Sequence, residues 1–327
     1  MGAGAALAAS VNSYAQVTQP SASFPRPSRA ARSLLRGAID VHTHLDPDSF
    51  GPNSRQAARA LDVVDMARRA KDAGMRGFVI KQHYDQTAQL AYLARKAVPE
   101  VEVFGMLCCN FSVGGLNPEA VRHFAELKGG YGRIVSLPTW DAENYVRQSR
   151  SPDRASVLVA RDGALLPETV ELLKTIAQAQ LRDSNARLAL ATGHVSAEEA
   201  LLVISEARRQ GIEQIVATHA MGHPIHMSVD QMKQAAQLGA YIEFVANFMT
   251  GARATFTAQQ YRDAIRAIGA ERAILSSDSG QANHPFPDDL LARAAHELQE
   301  AGLSQAELRR IMVENPATVL SLSQRSS

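Results

Sequence analysis

The sequence predicts a single (β/α)8 barrel, and three observations carry that prediction. Eight short apolar, β-branched-rich runs recur along residues 37–327. Amphipathic stretches with apolar residues at helical spacing separate them, and glycines stand where those helices should end. Eight strands, each followed by a helix, over about 290 residues is what such a barrel requires. An open doubly wound sheet is the alternative. It is disfavoured because it commonly uses fewer strands and because no Gly-x-Gly-x-x-Gly turn follows the first run.

In order, the strand candidates are Ala38–Val41, Gly77–Ile80, Val101–Leu107, Arg133–Leu137, Arg187–Ala191, Gln214–Thr218, Ala240–Val245 and Arg272–Leu275. Helices are expected over Ala57–Ala73, Pro118–Lys128, Pro167–Leu181 and Ala197–Gln210, among others. Asn117-Pro118, and Ser196 with Glu199 three residues on, mark helix starts. Glycines 74, 129, 211, 239, 269 and 302 mark helix ends. The connection Asp141–Gly163 after the fourth strand is too long for a turn. It places Trp140 and Asp141 at the barrel mouth and then supplies Arg147, Arg150, Arg154 and Arg161. It is expected to act as a lid, with Trp140 and at least one arginine contacting an anionic or aromatic substrate.

Residues 1–36 stand apart as a flexible N-terminal arm or the remnant of an export signal. Met1–Ala15 is rich in Ala, Gly and Ser and ends Ser13-Tyr14-Ala15, like an h-region and cleavage site, yet it lacks a basic n-region. A cytoplasmic protein is expected, or a periplasmic or secreted one if this segment is the tail of a signal. Residues 16–36 read as a polar linker, and residues 37–327 as the barrel.

Composition narrows the function. With 46% hydrophobic and 20% charged residues the chain is a globular protein with a sizeable core. Lys+Arg 34 against Asp+Glu 33 argues against a nucleic-acid surface or a polybasic membrane patch. The longest apolar or small run, Ala3–Val11, falls short of the roughly 18 residues a membrane span needs. The two cysteines, Cys108 and Cys109, are adjacent, so there is no disulfide framework and no Cys-x-x-Cys metal knuckle. Buried packing suits them better than nucleophilic work. The partner is expected to be a small-molecule substrate, and self-association stays open.

Ten histidines are the outlying number, and they gather at strand ends. The first strand closes Asp40-Val41-His42-Thr43-His44, where alternation puts both imidazoles on one side. The second closes Ile80-Lys81-Gln82-His83, the fifth Gly193-His194, the sixth Thr218-His219, and the eighth Ser276-Ser277-Asp278. Active sites of these barrels lie at the C-terminal ends of strands. Imidazole and carboxylate are the ligands that Zn²⁺ and its first-row neighbours take. One histidine at a strand end is more often structural; His42, His44, His194, His219 and Asp278 on one rim reverse those odds. His123 and His296 fall in helices and read as solvent-facing or structural. His223, His226 and His284 lie in loops beyond strands six and eight, where His223 and His284 are candidates to line a substrate pocket with His83 and Trp140.

Those motifs, with the late Glu314-Asn315-Pro316-Ala317, resemble the amidohydrolase superfamily of metal-dependent barrel hydrolases over roughly residues 37–322. The runs Gly74-Met75-Arg76-Gly77 through Lys81-Gln82-His83, Val113-Gly114-Gly115-Leu116-Asn117-Pro118 and Ser276-Ser277-Asp278-Ser279-Gly280-Gln281 are similar to a branch known only as a domain of unknown function. The resemblance implies His42, His44 and Asp278 on a deeper metal, and His194 and His219 on a second. It also implies a bridging carboxylated lysine, ordinarily at the end of strand four. Here that strand ends Ser136-Leu137-Pro138-Thr139-Trp140, and Lys81 is the one lysine of six in a strand candidate. Lys81 is either the carbamylated bridge or a protonated residue that holds a substrate anion at a one-metal site. His83 becomes a ligand instead if its strand runs two residues longer.

The reaction implied is hydrolysis of an amide, lactone or ester. A divalent ion, Zn²⁺ first with Mn²⁺ or Fe²⁺ as alternatives, lowers the pKa of a bound water to about 7, and Asp278 shuttles the proton. One or two ions are compatible with the set. A one-metal decarboxylase is the first rival, a phosphoesterase the second, and a barrel used only for binding the third. A serine hydrolase is disfavoured because no Gly-x-Ser-x-Gly elbow occurs.

Overall fold

The computed structural model of the chain describes residues 24–49 and 58–323. Eight strands, numbered here as barrel strands in chain order, form one sheet: β1 (Ile39–Thr43), β2 (Gly77–Ile80), β3 (Glu102–Cys108), β4 (Gly132–Ser136), β5 (Ala189–Ala191), β6 (Ile215–Ala217), β7 (Tyr241–Val245) and β8 (Ala273–Ser276). Each pairs in parallel with the next. The ends of the sheet meet just past β8, where Thr43 bridges Ser279. There His42 O accepts from Asp278 N at 3.0 Å, and Ser279 O from His44 N at 2.8 Å. The chain therefore folds as a (β/α)8 barrel, and the seam that closes it carries residues of the candidate site.

The elements form where the residues dictate. The strand runs are apolar because both faces are covered: Ile39, Val41, Val79, Phe104, Ile134 and Ile274 pack inside the barrel, and the remaining faces pack against the helices. Asn117 caps the helix Pro118–Ala125 through Glu119 N, and Ser196 and Glu199 form a reciprocal capping box at the head of Ala197–Arg209. The six helix-ending glycines all have positive φ, the conformation in which a helix end turns back toward the sheet. Polar exceptions to this apolar interior concentrate at the C-terminal ends of the strands, where Asp40, His42, His44, Lys81, His194, His219 and Asp278 are all buried.

Two regions differ from expectation. Residues 29–33 form a short helix rather than part of a flexible arm. Leu35 is fully buried, and Arg32 pairs with Asp289 at 2.5 Å and Asp288 at 3.3 Å on the helix Pro287–Glu300. Apolar burial and a two-carboxylate anchor hold this stretch to the barrel. The signal-like stretch Met1–Ala15 lies outside the described residues. Among the described residues no helix is long and apolar enough to cross a membrane.

The second difference is the connection after β4. It contains a helix, Glu143–Arg147, and a small hairpin pairing Ala160–Arg161 with Ala164–Leu165. Its base is tied down by buried polar groups. Asp141 accepts from Arg154 Nη1 at 2.7 Å and from Phe111 N at 2.9 Å, and Arg154 also donates to Trp140 O. Asn144 Nδ2 donates to His194 O at 3.1 Å and Pro224 O at 3.0 Å. Arg147 pairs with Glu143 within its own helix. Asp141 with Arg154 and the buried Asn144 amide thus tie the base of the connection to the barrel mouth.

Candidate metal centre

Three side chains meet at one point. His42 Nε2 lies 3.1 Å from Asp278 Oδ1, and His44 Nε2 lies 3.0 Å from the same oxygen. Among the described residues, His42, His44 and Asp278 form the group whose ligand atoms all fall within 4.8 Å of one another, and all three are buried. The strand that carries His42 and leads into His44 shifts register between Asp40 and Thr43, an irregularity of the kind that re-aims side chains beside active sites. Asp40 fixes the seam from below: its Oδ1 accepts from His42 N at 3.1 Å and Ser277 N at 3.0 Å. Burial pushes the Asp40 carboxyl up to about 7 against those hydrogen bonds.

Around this point the other strand ends add a ring of imidazoles. The His219 ring lies 6.0 Å from that of His42 and 5.0 Å from that of His194, and His83 lies 5.2 Å from His44. His219 and Asp278 both sit in the left-handed region, at φ 25° and 49°. For residues with a β-carbon this is strained, and such strain gathers at functional sites. It is held here by His219 N donating to Glu243 at 2.8 Å and Asp278 N donating to His42 O at 3.0 Å. Gly193, also at positive φ, sits directly against the carbonyls of Leu137 and Pro138, so only a residue without a β-carbon can turn the chain into His194 there.

Glu243 is the residue that sequence reasoning missed. It lies mid-strand on β7, 3% exposed. Its Oε1 lies 3.0 Å from His42 Nδ1 and accepts from Ser276 Oγ at 2.7 Å. One signal in the sequence pointed to it: Tyr241-Ile242-Glu243-Phe244-Val245 places one carboxylate in a strand buried on both sides, where only a paired charge is tolerable.

The electrostatics suit a cation. Burial disfavours the ionised form of Asp278 and Glu243, but His42 beside both, and His44 beside Asp278, reverse the shift. Asp278 falls well below the usual carboxylate range and Glu243 to about 2. Burial lowers His44, His83 and His194 well below the ordinary imidazole value and His219 to about 3, so these rings stay neutral. His42 is the exception: burial and Lys81 would lower it, but Asp278 and Glu243 raise it to about 9. Nδ1 of His194 and of His219 are buried without a hydrogen-bond partner. Neutral, desolvated imidazoles with unpartnered nitrogens beside two carboxylates are the donor set of a divalent metal.

The remaining predicted residues fall around one cavity of about 540 Å³ at the barrel mouth. Lys81 is buried at its floor, with Nζ 3.0 Å from His42 Nε2. The second strand stops at Ile80, and His83 beyond it contacts Thr139 Oγ1 through Nδ1 at 2.9 Å and stacks on Trp140 at 3.9 Å. Trp140 and His223 line the cavity. His284 is not among the lining residues; its Nδ1 lies 3.3 Å from Asn247 Nδ2. His123 and His296 pair with Glu119 and Glu300 on their own helices. None of the four arginines of the β4 connection is among the lining residues; Arg59 and Arg253 are.

Comparison with known proteins agrees with this architecture. The family described as "Family of unknown function (DUF6282)" matches residues 37–243. No curated protein matches. Among solved structures, an amidohydrolase from Pseudomonas aeruginosa is 14% identical over 90% of this chain and 98% of its own, with a TM-score of 0.56. A PTE-like lactonase variant from Deinococcus radiodurans is 14% identical over 90% and 98%, with a TM-score of 0.58. A 2,6-dihydroxybenzoate decarboxylase from Rhizobium is 13% identical over 88% and 99%, with a TM-score of 0.52. Likeness at such identity establishes a shared barrel fold.

Proposed function

Given that the chain belongs to the family of unknown function DUF6282, a grouping that carries no chemistry of its own, we propose that it is a metal-dependent hydrolase of a small molecule. The observation that carries the reading is the convergence of His42 Nε2 and His44 Nε2 on Asp278 Oδ1 within a ring of neutral imidazoles. Its structural likeness to an amidohydrolase and a lactonase supports the same choice. His42, His44 and Asp278 would hold one ion, zinc first among the candidates, and His194 and His219 would hold a second.

A divalent ion at this point supplies Lewis acidity toward a carbonyl and toward water at neutral pH. The chain's own groups do the rest. Asp278, ionised because His42 and His44 stabilise its charge, accepts a proton from the attacking water at a carboxylate oxygen and returns it to the leaving atom. Trp140, stacked on His83, walls off one side of the cavity. If two ions are held, Lys81 would serve as a carbamate, formed when its free amine adds to carbon dioxide with release of one proton, and would supply two oxygens beside His42.

A one-metal decarboxylase is the second reading. It is favoured by the one three-residue ligand group among the described residues and by the likeness to a decarboxylase fold. Elemental analysis combined with intact mass under carbon dioxide separates the two. Two ions and a carbamate mass support the hydrolase, whereas one ion with unmodified Lys81 supports the lyase. His42→Ala and His219→Ala should each lose metal while the barrel stays folded. Full metal content in both variants would overturn the assignment.

A further inference from the structure

The cavity above the metal centre is lined by two arginines, Arg59 and Arg253, that the hydrolytic reading does not use. Arg59 is engaged, with Nε and Nη2 donating to Asp48 Oδ2 at 2.8 and 2.5 Å. Arg253 differs. It lies on the connection between β7 and the helix Ala258–Ile268 and is exposed at the mouth. No carboxylate pairs with it among the described residues. Its charge is felt at Tyr145, His223 and His284, and it lines the same cavity as Trp140.

A second feature points to a ligand in the same space. Gln281 lines the cavity, is 7% exposed, and leaves its Oε1 buried without a partner. Its amide nitrogen donates to Asp278 O at 3.3 Å, which leaves the carbonyl oxygen as the free end. A buried polar atom without a partner is costly unless something fills its need. Trp140, Tyr145 and Phe248 add three aromatic side chains to this lining beside the histidines.

We propose that Arg253 selects the substrate: it receives a carboxylate or equivalent oxyanion on the end of the molecule remote from the bond being cleaved, while Trp140, Tyr145 and Phe248 cover the apolar body. This inference rests on the metal-dependent reading of the same cavity. A guanidinium without an internal partner forms charge-assisted forks with such anions at no cost to an existing ion pair.

The test uses the full-length, metal-loaded protein and calorimetric titration with glutarate and butyrate, which differ by one terminal carboxylate. The wild type should bind glutarate about tenfold or more tightly than butyrate. Arg253→Gln should lose that preference with unchanged butyrate affinity and unchanged metal content, and Arg253→Lys should recover part of it. An Arg253→Gln protein that keeps the preference, or a wild type without one, overturns the proposal. 4-Phosphonobutyrate in place of glutarate separates the two anion classes: tighter binding assigns the subsite to phosphoryl groups, weaker binding to carboxylates. A wild type that takes up no divalent ion yet prefers glutarate through Arg253 would remove the hydrolase reading and keep this one. A metal-loaded protein with no preference would do the reverse.

Discussion

Glu243 Oε1 lies 3.0 Å from His42 Nδ1, and this contact decides which nitrogen of His42 faces the centre of the site. With its carboxyl held at about 2, Glu243 only accepts, and it already takes hydrogen bonds from Ser276 Oγ and His219 N. His42 Nδ1 must therefore carry a hydrogen, which leaves Nε2 directed at Asp278. One carboxylate thus orients two histidines, one through its ring and one through its backbone.

Glu243→Gln should keep the barrel folded, because the amide fills the same volume, but remove the charge that fixes this arrangement. Loss of such a supporting group typically costs about 10–100-fold in metal affinity. Competition against a chromophoric chelator measures it, and an unchanged affinity would mean that His42 is oriented by something else.

Acid and alkali should both destabilise the metal-free protein, on either side of pH 6.5. His44, His83, His194 and His219 have folded pKa values below the ordinary 6.5, so their contribution is complete above 6.5 and is lost as pH falls toward those lowered values. Glu243, lowered from 4.5 to about 2, adds a loss in the same direction at lower pH. His42, raised to about 9, contributes fully below 6.5 and loses its contribution as pH rises through 9. Asp40, raised from 3.8 to about 7, opposes the histidines between those values but is outnumbered. The melting temperature of chelator-treated protein, scanned from pH 4 to about 9, should therefore peak near 6.5. A monotonic rise to pH 9 would contradict the charge state given to His42.

Asn144 tests the tie at the base of the β4 connection. Asn144→Ala leaves His194 O without its donor and removes one of two donors from Pro224 O. A buried unsatisfied carbonyl costs about 1–3 kcal/mol. The urea midpoint should fall accordingly with an unchanged m-value, while metal content is retained. No shift in midpoint would show that the connection is held elsewhere.

How much of this was legible in the sequence follows from which interactions are local. Strands and helices were readable because each rests on its own periodicity, and the helix ends because each needs a residue that tolerates positive φ, as Gly74 and Gly211 do. The histidines were readable because strand ends of a barrel converge by construction. What escaped depended on distant partners. The role of Glu243 exists only once β7 lies beside β8 and its carboxylate reaches His42 on β1. The arginines of the β4 connection looked available in sequence, but Asp141 and Glu143 engage Arg154 and Arg147. Arg59 and Arg253 sit in connections without periodicity, and nothing local marks them as neighbours across an opening.

Cys108 and Cys109 should be inert in the folded protein. Both are 1% exposed, and burial pushes the Cys108 thiol up to about 11 and the Cys109 thiol higher still. The reactive species is the thiolate, so Ellman's reagent should titrate neither under native conditions and both in denaturant. Rapid native labelling would return these thiols to the list of candidate nucleophiles.

Trp140 is the chain's single tryptophan, and it stands in the cavity wall with its face against His83 at 3.9 Å and an interplanar angle of 13°. All indole fluorescence from this protein therefore originates beside the candidate metal centre. A ligand that enters the cavity, or an ion that takes up His44 and so shifts the ring next to His83, changes the polarity and contacts of that one fluorophore. Excitation at wavelengths where tyrosine does not absorb reads the site alone, without a label and before any substrate is known. The stacking that walls the cavity also makes the protein its own optical probe.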